Sequence, residues 1–199
     1  MASQRRQPDG FTLIELLMVI AIMGILVALA MPSSNPSNYD QLRAAAEILK
    51  TDVAYARSLA VSNNSKYRIT FDIDKNRYVL QHSGDKAALD TLPDSPFRAP
   101  DDPPEQHIVD LDELPRMGPP VTLVVAATSE AAPRRVVDVE FGPLGETTRS
   151  QPTIIWLGCG LDSNRRYLAL EINPVTGLTD VGDYTAEVPP AGLESATGP

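Results

Sequence analysis

The sequence has little cysteine and little histidine, and these shortages exclude several kinds of site. Its 199 residues include one Cys, two His and one Trp. Cys159 has no second cysteine with which to form a disulfide inside the domain, so no covalent link is expected to stabilise the fold. His82 and His107 are not spaced with other ligands as a zinc site requires. We therefore expect neither a metal nor a cofactor.

Catalytic and phosphate-binding motifs are also missing. The chain has no glycine-rich phosphate loop and no nucleophile elbow. Asp72, Asp74 and Asn76 have the alternate spacing of a calcium loop. However, Arg77 stands where that loop needs glycine, and Ser83 stands where it needs a bidentate Glu. The three residues are therefore interpreted as a hairpin turn, and the sequence predicts that the chain is not an enzyme.

The balance of charge disfavours a nucleic acid as a partner. The chain has 17 Lys and Arg against 26 Asp and Glu, for a formal net charge of −9. An acidic chain repels phosphate backbones, and phosphate binding needs several clustered cations. The basic residues that could contact DNA come in two pairs, Arg134 with Arg135 and Arg165 with Arg166. We interpret these arginines as exposed charges that keep the protein soluble.

The most informative stretch lies at the N-terminus, where residues 10–15 read Gly-Phe-Thr-Leu-Ile-Glu. From Leu16 to Met31 every side chain is apolar or absent. The segment is long enough, at roughly 20 residues, to cross a bilayer as a helix. One carboxylate, that of Glu15, interrupts it. An acidic group costs about 2.5 to 3.5 kcal/mol at the centre of a membrane helix and less toward its ends. Glu15 therefore needs a cationic partner or a functional reason.

This order of residues resembles the class III signal of type IV pilins and of the pseudopilins of type II secretion. The resemblance implies that a prepilin peptidase cleaves between Gly10 and Phe11 and that Phe11 is then N-methylated. It also implies that Glu15 pairs with the N-terminal amine of a neighbouring subunit. The expected partners are therefore prepilin peptidase and other pilins or pseudopilins in a filament. The helix over residues 11–31 is expected to serve first as a membrane anchor and later as the filament core.

Two other interpretations of the N-terminus stay open. Ala28-Leu29-Ala30 resembles the small-residue cleavage site of an ordinary secretory signal, with Arg5 and Arg6 as its basic region. A plain single-pass anchor is the second. Neither interpretation gives Glu15 a function. By the positive-inside rule, the leader over residues 1–10 stays in the cytoplasm. The expected location is thus the inner membrane, with a single span and the C-terminal domain in the periplasm.

A second helix is predicted within residues 32–64. Pro32 and Pro36 interrupt the first helix just past the membrane, and Pro32 is expected to kink it. Asn38 or Ser37 can cap the second helix, with Gln41 in a capping-box relation to Asn38. Apolar residues then recur every three or four positions, which predicts a face that packs on a sheet. They are Leu42, Ala45, Ala46, Leu49, Val53, Ala56, Leu59 and Ala60.

The period changes to two after Asn63, which indicates strands. Residues 67–73 and 77–81 are predicted to form a hairpin. Later strands are predicted at 121–127, 135–141, 153–159 and 167–172, with turns at 141–145 and 173–177. Residues 83–120 are rich in Pro and Asp and are interpreted as a long surface loop with a short strand at 107–111. Residues 184–199 are predicted to be a flexible tail.

A second resemblance covers Tyr55-Ala56-Arg57-Ser58-Leu59-Ala60-Val61. This segment, followed by a polar turn and a strand, is similar to minor pseudopilins of the GspH/FimT type. It implies an α+β fold, in which an N-terminal transmembrane helix continues into an amphipathic helix packed on an antiparallel two-sheet β-domain over residues 65–183. The implied function is a minor pseudopilin of type II secretion. The alternatives are a FimT-like minor type IV pilin, for pilus assembly or DNA uptake, and a membrane-anchored enzyme.

Overall fold

The computed structural model describes residues 12–30, 37–94, 101–114, 120–130 and 132–189. The chain divides into two units, Met1–Asn35 and Pro36–Pro199. The first unit contains helix α1, Leu13–Ala30. In its described residues the second contains helix α2 and eight β-strands, and its fold is α+β as predicted.

Helix α2 spans Asn38–Asn63, and a capping box begins it. The Ser37 hydroxyl accepts a hydrogen bond from the Asp40 backbone N–H at 3.3 Å, and the Asp40 carboxylate accepts one from the Ser37 backbone N–H at 3.1 Å. Of the two predicted caps, the structure therefore selects Ser37. The predicted pairing of Asn38 with Gln41 is wrong, because Asp40 is the residue three positions after the true cap. Asn64, at φ 47°, ends the helix.

The predicted apolar face of α2 is confirmed in full. All eight residues of the predicted stripe, from Leu42 to Ala60, are buried. They pack against strands of both sheets, so α2 is the element that joins the two layers. Burial of this face, at roughly 25 cal/mol per Å² of apolar surface, is the main stabilisation of a helix in such a position.

The strands form two antiparallel sheets of four strands each. The first sheet has the order β3-β2-β1-β5, and the second has the order β4-β6-β7-β8. The strands of the first sheet are β1 (Tyr67–Asp72), β2 (Arg77–His82), β3 (Gln106–Asp110) and β5 (Asp138–Phe141). Those of the second are β4 (Val121–Thr128), β6 (Thr153–Cys159), β7 (Arg166–Ile172) and β8 (Thr179–Val181). The predicted hairpin is β1 with β2.

One strand begins later than the alternating pattern predicts. The pattern starts at Arg135, whereas β5 starts at Asp138. Arg135 instead forms an isolated bridge with Ala127 of β4, and the Val136 N–H donates to the Ala126 carbonyl oxygen at 2.8 Å. The segment therefore passes from the second sheet to the first, and only the last four residues of the segment belong to the first sheet.

The predicted loop and tail contain more ordered pairing than their composition indicates. Within residues 83–120 the structure has a short helical turn, Ala87–Leu89, and strand β3, which lies one residue earlier than predicted. At the start of the predicted tail, Thr185 forms a bridge with Tyr167, and the ring of Tyr184 packs edge-on against that of Tyr39. Residues 184–189 are thus attached to the domain, while residues 190–199 lie outside the described residues.

Candidate functional site

Thr12 organises the first turn of α1. Its carbonyl oxygen accepts hydrogen bonds from the backbone N–H groups of Glu15 at 3.1 Å and Leu16 at 3.2 Å. Its hydroxyl also accepts from the Glu15 N–H, at 3.3 Å. A threonine that satisfies free N–H groups in this way is a typical N-cap. The polar residue just before the apolar run therefore sets where the helix begins.

Apolar side chains cover every face of α1. The large apolar side chains from Leu13 to Leu26 are exposed, and Leu13 itself is 81% exposed. A helix that is apolar on all sides is normally covered by protein or lipid. Among the described residues, no helix combines the length and the apolar character of a membrane span.

Glu15 is the charged side chain of α1 and lies in its first turn. It is exposed. Within the part of the chain that the structure describes, its carboxylate has no ion-pair partner. An acid at a helix N-terminus is stabilised by the helix dipole. Glu15 is therefore available to a cation from another molecule. The other predicted site residues, Gly10, Phe11 and Pro32, lie outside the described residues.

A groove with acidic and apolar walls lies in the second unit, between α2 and β3. It has a volume of about 560 Å³. Four carboxylates line it, those of Asp52, Asp102, Asp110 and Glu113. The remaining lining residues are Ile48, Thr51, His107, Ile108, Val109 and Leu114.

Asp52 lies at the centre of a buried polar group. The Tyr78 hydroxyl donates to its Oδ2 at 2.5 Å, and His107 Nε2 lies 3.8 Å from its Oδ1. Burial raises the pKa of the Asp52 carboxyl, while the Tyr78 hydrogen bond and the His107 charge act in the opposite direction. Burial, with the neighbouring Asp52 charge, also raises the pKa of Tyr78 well above its usual value. Tyr78 is therefore a hydrogen-bond donor at neutral pH.

In the groove, the Thr51 hydroxyl is not placed beside a general base. A general base must lie within roughly 2.6 to 3.2 Å of the group that it activates. The Thr51 hydroxyl instead donates to the Glu47 carbonyl oxygen at 2.8 Å. His107 Nδ1 is buried and has no hydrogen-bond partner in the described residues. Among the same residues, no group of three or more His, Cys, Asp or Glu side chains could hold a metal ion.

Asn76 belongs to the apparent calcium loop, and its side chain connects three segments of the fold. Its Oδ1 accepts from the Leu123 N–H at 2.7 Å. Its Nδ2 donates to the Val121 carbonyl oxygen and to Asp112 Oδ1, each at 2.9 Å. Its own backbone adopts φ 48°, the left-handed conformation of the β1–β2 turn. Asn76 thus ties this turn to the start of β4, and its amide is used for protein contacts.

Arg57, from the segment of the second resemblance, supports two turns. Its Nε donates to the Thr176 carbonyl oxygen at 2.7 Å. Gly145 and Gly177 both have positive φ, and a Cβ on either would lie 3.0 Å from the Arg57 side chain. The arginine therefore packs against the two glycine turns that the sequence predicts at 141–145 and 173–177.

The two basic pairs are not brought together. Arg134 and Arg135 are exposed, and Arg135 is paired with Ala127 near the end of β4. Arg165 reaches Thr122 at the start of β4, at 3.4 Å, and lies 5.5 Å from the ring centre of Tyr167. At about 3.3 Å per residue, the length of β4 between these points is roughly 17 Å. The structure forms no single cationic patch from them.

Comparison with known proteins identifies the N-terminal segment. Residues 5–31 match the family described as the prokaryotic N-terminal methylation motif. The match contains Gly10, Phe11 and Glu15. The N-terminal segment therefore carries a prokaryotic methylation motif. This confirms the resemblance that the sequence shows at residues 10–15.

One curated relative and two solved structures extend the comparison. The chain is 34% identical over 100 residues to the type II secretion system core protein G of Aeromonas hydrophila, which is 49% of this chain and 58% of that protein. The chain therefore spans little more than half the length of that relative.

The two solved structures are weak likenesses. The type IV minor pilin FimU of Pseudomonas aeruginosa has a TM-score of 0.45 at 21% identity, over 73% of this chain and 90% of that one. The minor pseudopilin EpsH of the Vibrio cholerae type 2 secretion system has a TM-score of 0.48 at 13% identity, over 71% and 96%.

The raised pKa of Asp52 leads to a testable effect on the stability of the domain that contains it. A raised folded-state pKa favours the fold below the ordinary Asp value of 3.8 and costs stability as the pH rises through the folded value. Asp52→Asn removes that cost and keeps an oxygen for Tyr78. We expect the variant to melt above the wild-type domain at pH 7, with the gain vanishing toward pH 3.8. Asp74→Asn, at an exposed turn, is the matched control in melting curves across this range, and an unchanged melting temperature at pH 7 would contradict the assignment.

Sequence reasoning did not find the groove. Asp52 lies beside Val53 at the border of the apolar stripe. An acidic residue at that border was the sign of the groove that the sequence offered. Its partners Tyr78 and His107 lie on β2 and β3, and nothing local in the sequence pairs them with α2.

Proposed function

We propose that this chain is a minor pseudopilin of a type II secretion system, trimmed by prepilin peptidase and assembled into a membrane-rooted filament. The observation that carries the proposal is the order Gly10, Phe11 and Glu15 ahead of an apolar run, within the matched region. The similarity to the type II secretion core protein G supports secretion over pilus assembly. The arrangement of residues 37–189, one helix against two sheets, fits the minor pseudopilins that the segment from Tyr55 to Val61 resembles.

The proposed mechanism links trimming to assembly. Cleavage after Gly10 creates an amine at Phe11 that the precursor lacks. Glu15 is exposed and unpaired within the described residues, so its carboxylate can accept an amine from a neighbouring subunit. A pair of opposite charges costs far less in an apolar filament core than a lone carboxylate does. Each added subunit brings both groups, and head-to-tail contacts of this kind repeat without closing.

Anchoring in the inner membrane is part of the same proposal. Its support is the sequence, in which Arg5 and Arg6 precede an apolar run that lasts to Met31. The positive-inside rule then assigns residues 1–10 to the cytoplasm and the β-domain to the periplasm.

Two structural features bear on the rival functions. In the groove, the Thr51 hydroxyl donates to a backbone carbonyl and is not paired with a base. The separation of the two basic pairs disfavours the DNA-binding role of a FimT-like pilin, because counterion release requires clustered cations.

The direct test is mass spectrometry of the N-terminus of the protein purified from its native membranes. We expect a chain that begins at Phe11 with one added methyl group on its amine. The control is the same protein from cells that lack prepilin peptidase, which should retain residues 1–10. A mature chain that begins at Met31 would instead establish ordinary secretion and overturn the proposal.

A further inference from the structure

Three polar side chains are joined by hydrogen bonds where helix α2 passes into strand β1. The Ser65 hydroxyl oxygen lies 2.7 Å from His82 Nε2, and His82 Nδ1 lies 2.7 Å from Asp90 Oδ1. An ionised carboxylate only accepts hydrogen bonds, so His82 Nδ1 carries the proton and Nε2 accepts from the Ser65 hydroxyl. A serine, a base and a carboxylate that orients the base are the parts of an activated nucleophile.

The position of Ser65 restricts what this nucleophile can attack. Ser65 is only 7% exposed, and the side chain of His82 is fully buried. Gly84 lies directly over the hydroxyl, since a Cβ built on it would lie 2.3 Å from Ser65 Oγ. A substrate from another molecule therefore cannot reach the hydroxyl in this structure. The carbonyl carbon of Asn64 is within reach, because it belongs to the preceding residue of the same chain.

The Asn64 carbonyl group has two features that favour such an attack. Lys86 Nζ donates to the Asn64 carbonyl oxygen at 3.0 Å, so a cation already contacts the atom on which negative charge develops. Asn64 also adopts φ 47° and ψ 54°, a left-handed conformation that is disfavoured for a residue with a Cβ. Cleavage of the bond that follows Asn64 releases this strain. Asn64 is exposed, so water can reach an ester formed there.

We propose that the chain cleaves itself between Asn64 and Ser65. The Ser65 oxygen attacks the Asn64 carbonyl carbon to close a hydroxyoxazolidine ring, and His82 Nε2 takes the hydroxyl proton. The ring opens as the bond from that carbon to the Ser65 nitrogen breaks, and His82 returns the proton to this nitrogen. Water then hydrolyses the ester that links the two residues. In sum, a peptide bond and a water molecule become a carboxylate at Asn64 and an amine at Ser65.

The cut separates α2 from the β-domain in the chain but not in the fold. The apolar face of α2 stays packed on both sheets, and β1 stays paired with β2 and β5. The β-domain is then held to the N-terminal part of the chain by noncovalent contacts. The reaction occurs once in each chain and turns over no substrate. It does not depend on the proposed function, because all the groups that it uses belong to the second unit.

Denaturing gel electrophoresis and mass spectrometry of the purified full chain test the reaction. The protein is incubated at neutral pH with and without hydroxylamine, which attacks esters. We expect two fragments that separate only in denaturant, one that ends at Asn64 and one that begins at Ser65. Hydroxylamine should speed their formation and leave a hydroxamate at the end of the first fragment. A chain that stays intact under both conditions overturns the proposal.

Substitutions at the reacting groups separate this reaction from cleavage by a contaminating protease. Ser65→Ala should abolish the cut, whereas a protease would still make it. His82→Gln should slow the cut about 10²-fold, because a general base contributes at least that factor. Ser62→Ala, at an exposed serine near the same end of α2, is the matched control and should cleave at the wild-type rate. Ser65→Cys keeps a nucleophile, so dithiothreitol should cleave it through the thioester. A folded Ser65→Cys chain that resists dithiothreitol overturns the proposal even if Ser65→Ala does not fold.

Asn64→Gly separates the serine mechanism from a reaction of the Asn64 side chain, which could cut the same bond by forming a cyclic imide. Glycine adopts a positive φ readily and has no side-chain amide. We expect the Asn64→Gly chain still to cleave, and to do so more slowly because less strain is released. Complete loss of cleavage in this variant would assign the cut to the Asn64 side chain and overturn the proposal.

Discussion

Replacement of Glu15 by alanine should leave trimming after Gly10 intact and nearly abolish incorporation of the chain into filaments. The carboxylate costs roughly 2.5 to 3.5 kcal/mol near the centre of a bilayer and less toward its edge. Its removal therefore makes membrane insertion easier. A loss of incorporation then has to come from assembly, where the amine of the neighbouring subunit loses its partner and stays unpaired in an apolar core.

Two further substitutions at this position separate charge from shape. Glu15→Gln keeps the size of the side chain and removes its charge, and we expect it to fail as Glu15→Ala does. Glu15→Asp keeps the charge one methylene further back and should retain part of the incorporation. The measurement compares the N-terminal mass of the membrane form with the amount of each variant in sheared filaments. If Glu15→Gln is incorporated as the wild type is, the ion pair is not what recruits the subunit.

Substitution of Asn76 by alanine should destabilise the β-domain by about 2 to 4 kcal/mol. The change leaves the Leu123 N–H and the Val121 carbonyl oxygen without their partners, and each unsatisfied buried group costs about 1 to 3 kcal/mol. It also places an alanine at φ 48°, where a Cβ is disfavoured. The start of β4 and the segment that carries Asp112 should both loosen.

Matched variants divide this effect into its parts. Asn76→Gly keeps the left-handed conformation and removes only the amide, so its difference from Asn76→Ala measures the backbone strain. Asn76→Asp keeps the acceptor for the Leu123 N–H and loses both donations. Urea unfolding of residues 37–199, which contain the described core, gives the free energies. Lys75→Ala, at the exposed turn beside Asn76, is the control. An Asn76→Ala domain as stable as this control would show that the three contacts contribute little.

The local periodicity of the sequence was sufficient to predict α2 and most of the strands. The apolar stripe of α2 has the period of a helix, and every residue of it is buried. The hairpin of β1 and β2 follows from an alternating pattern on either side of a turn. These predictions succeed because the period of a helix or a strand is a property of neighbouring residues. The N-terminal segment was found in the same way, because its residues are contiguous in the chain.

Such local patterns do not predict which residues meet across the fold. Arg135 pairs with Ala127 of the second sheet before β5 begins in the first. The alternating pattern around Arg135 does not specify this partner. The prediction of a flexible tail from Tyr184 likewise could not include the contact with Tyr39.

The sequence by itself determined the N-terminal signal, the burial of one face of α2 and the pairing of the first hairpin, since each depends on residues that are close along the chain. Only the tertiary structure decided that Asp52, Tyr78 and His107 share one groove and that Asn76 holds β4. It also decided that Ser65 and Asp90 are both joined to His82 by hydrogen bonds. The physical reason is that burial, pKa and charge complementarity depend on what packing brings together across the fold.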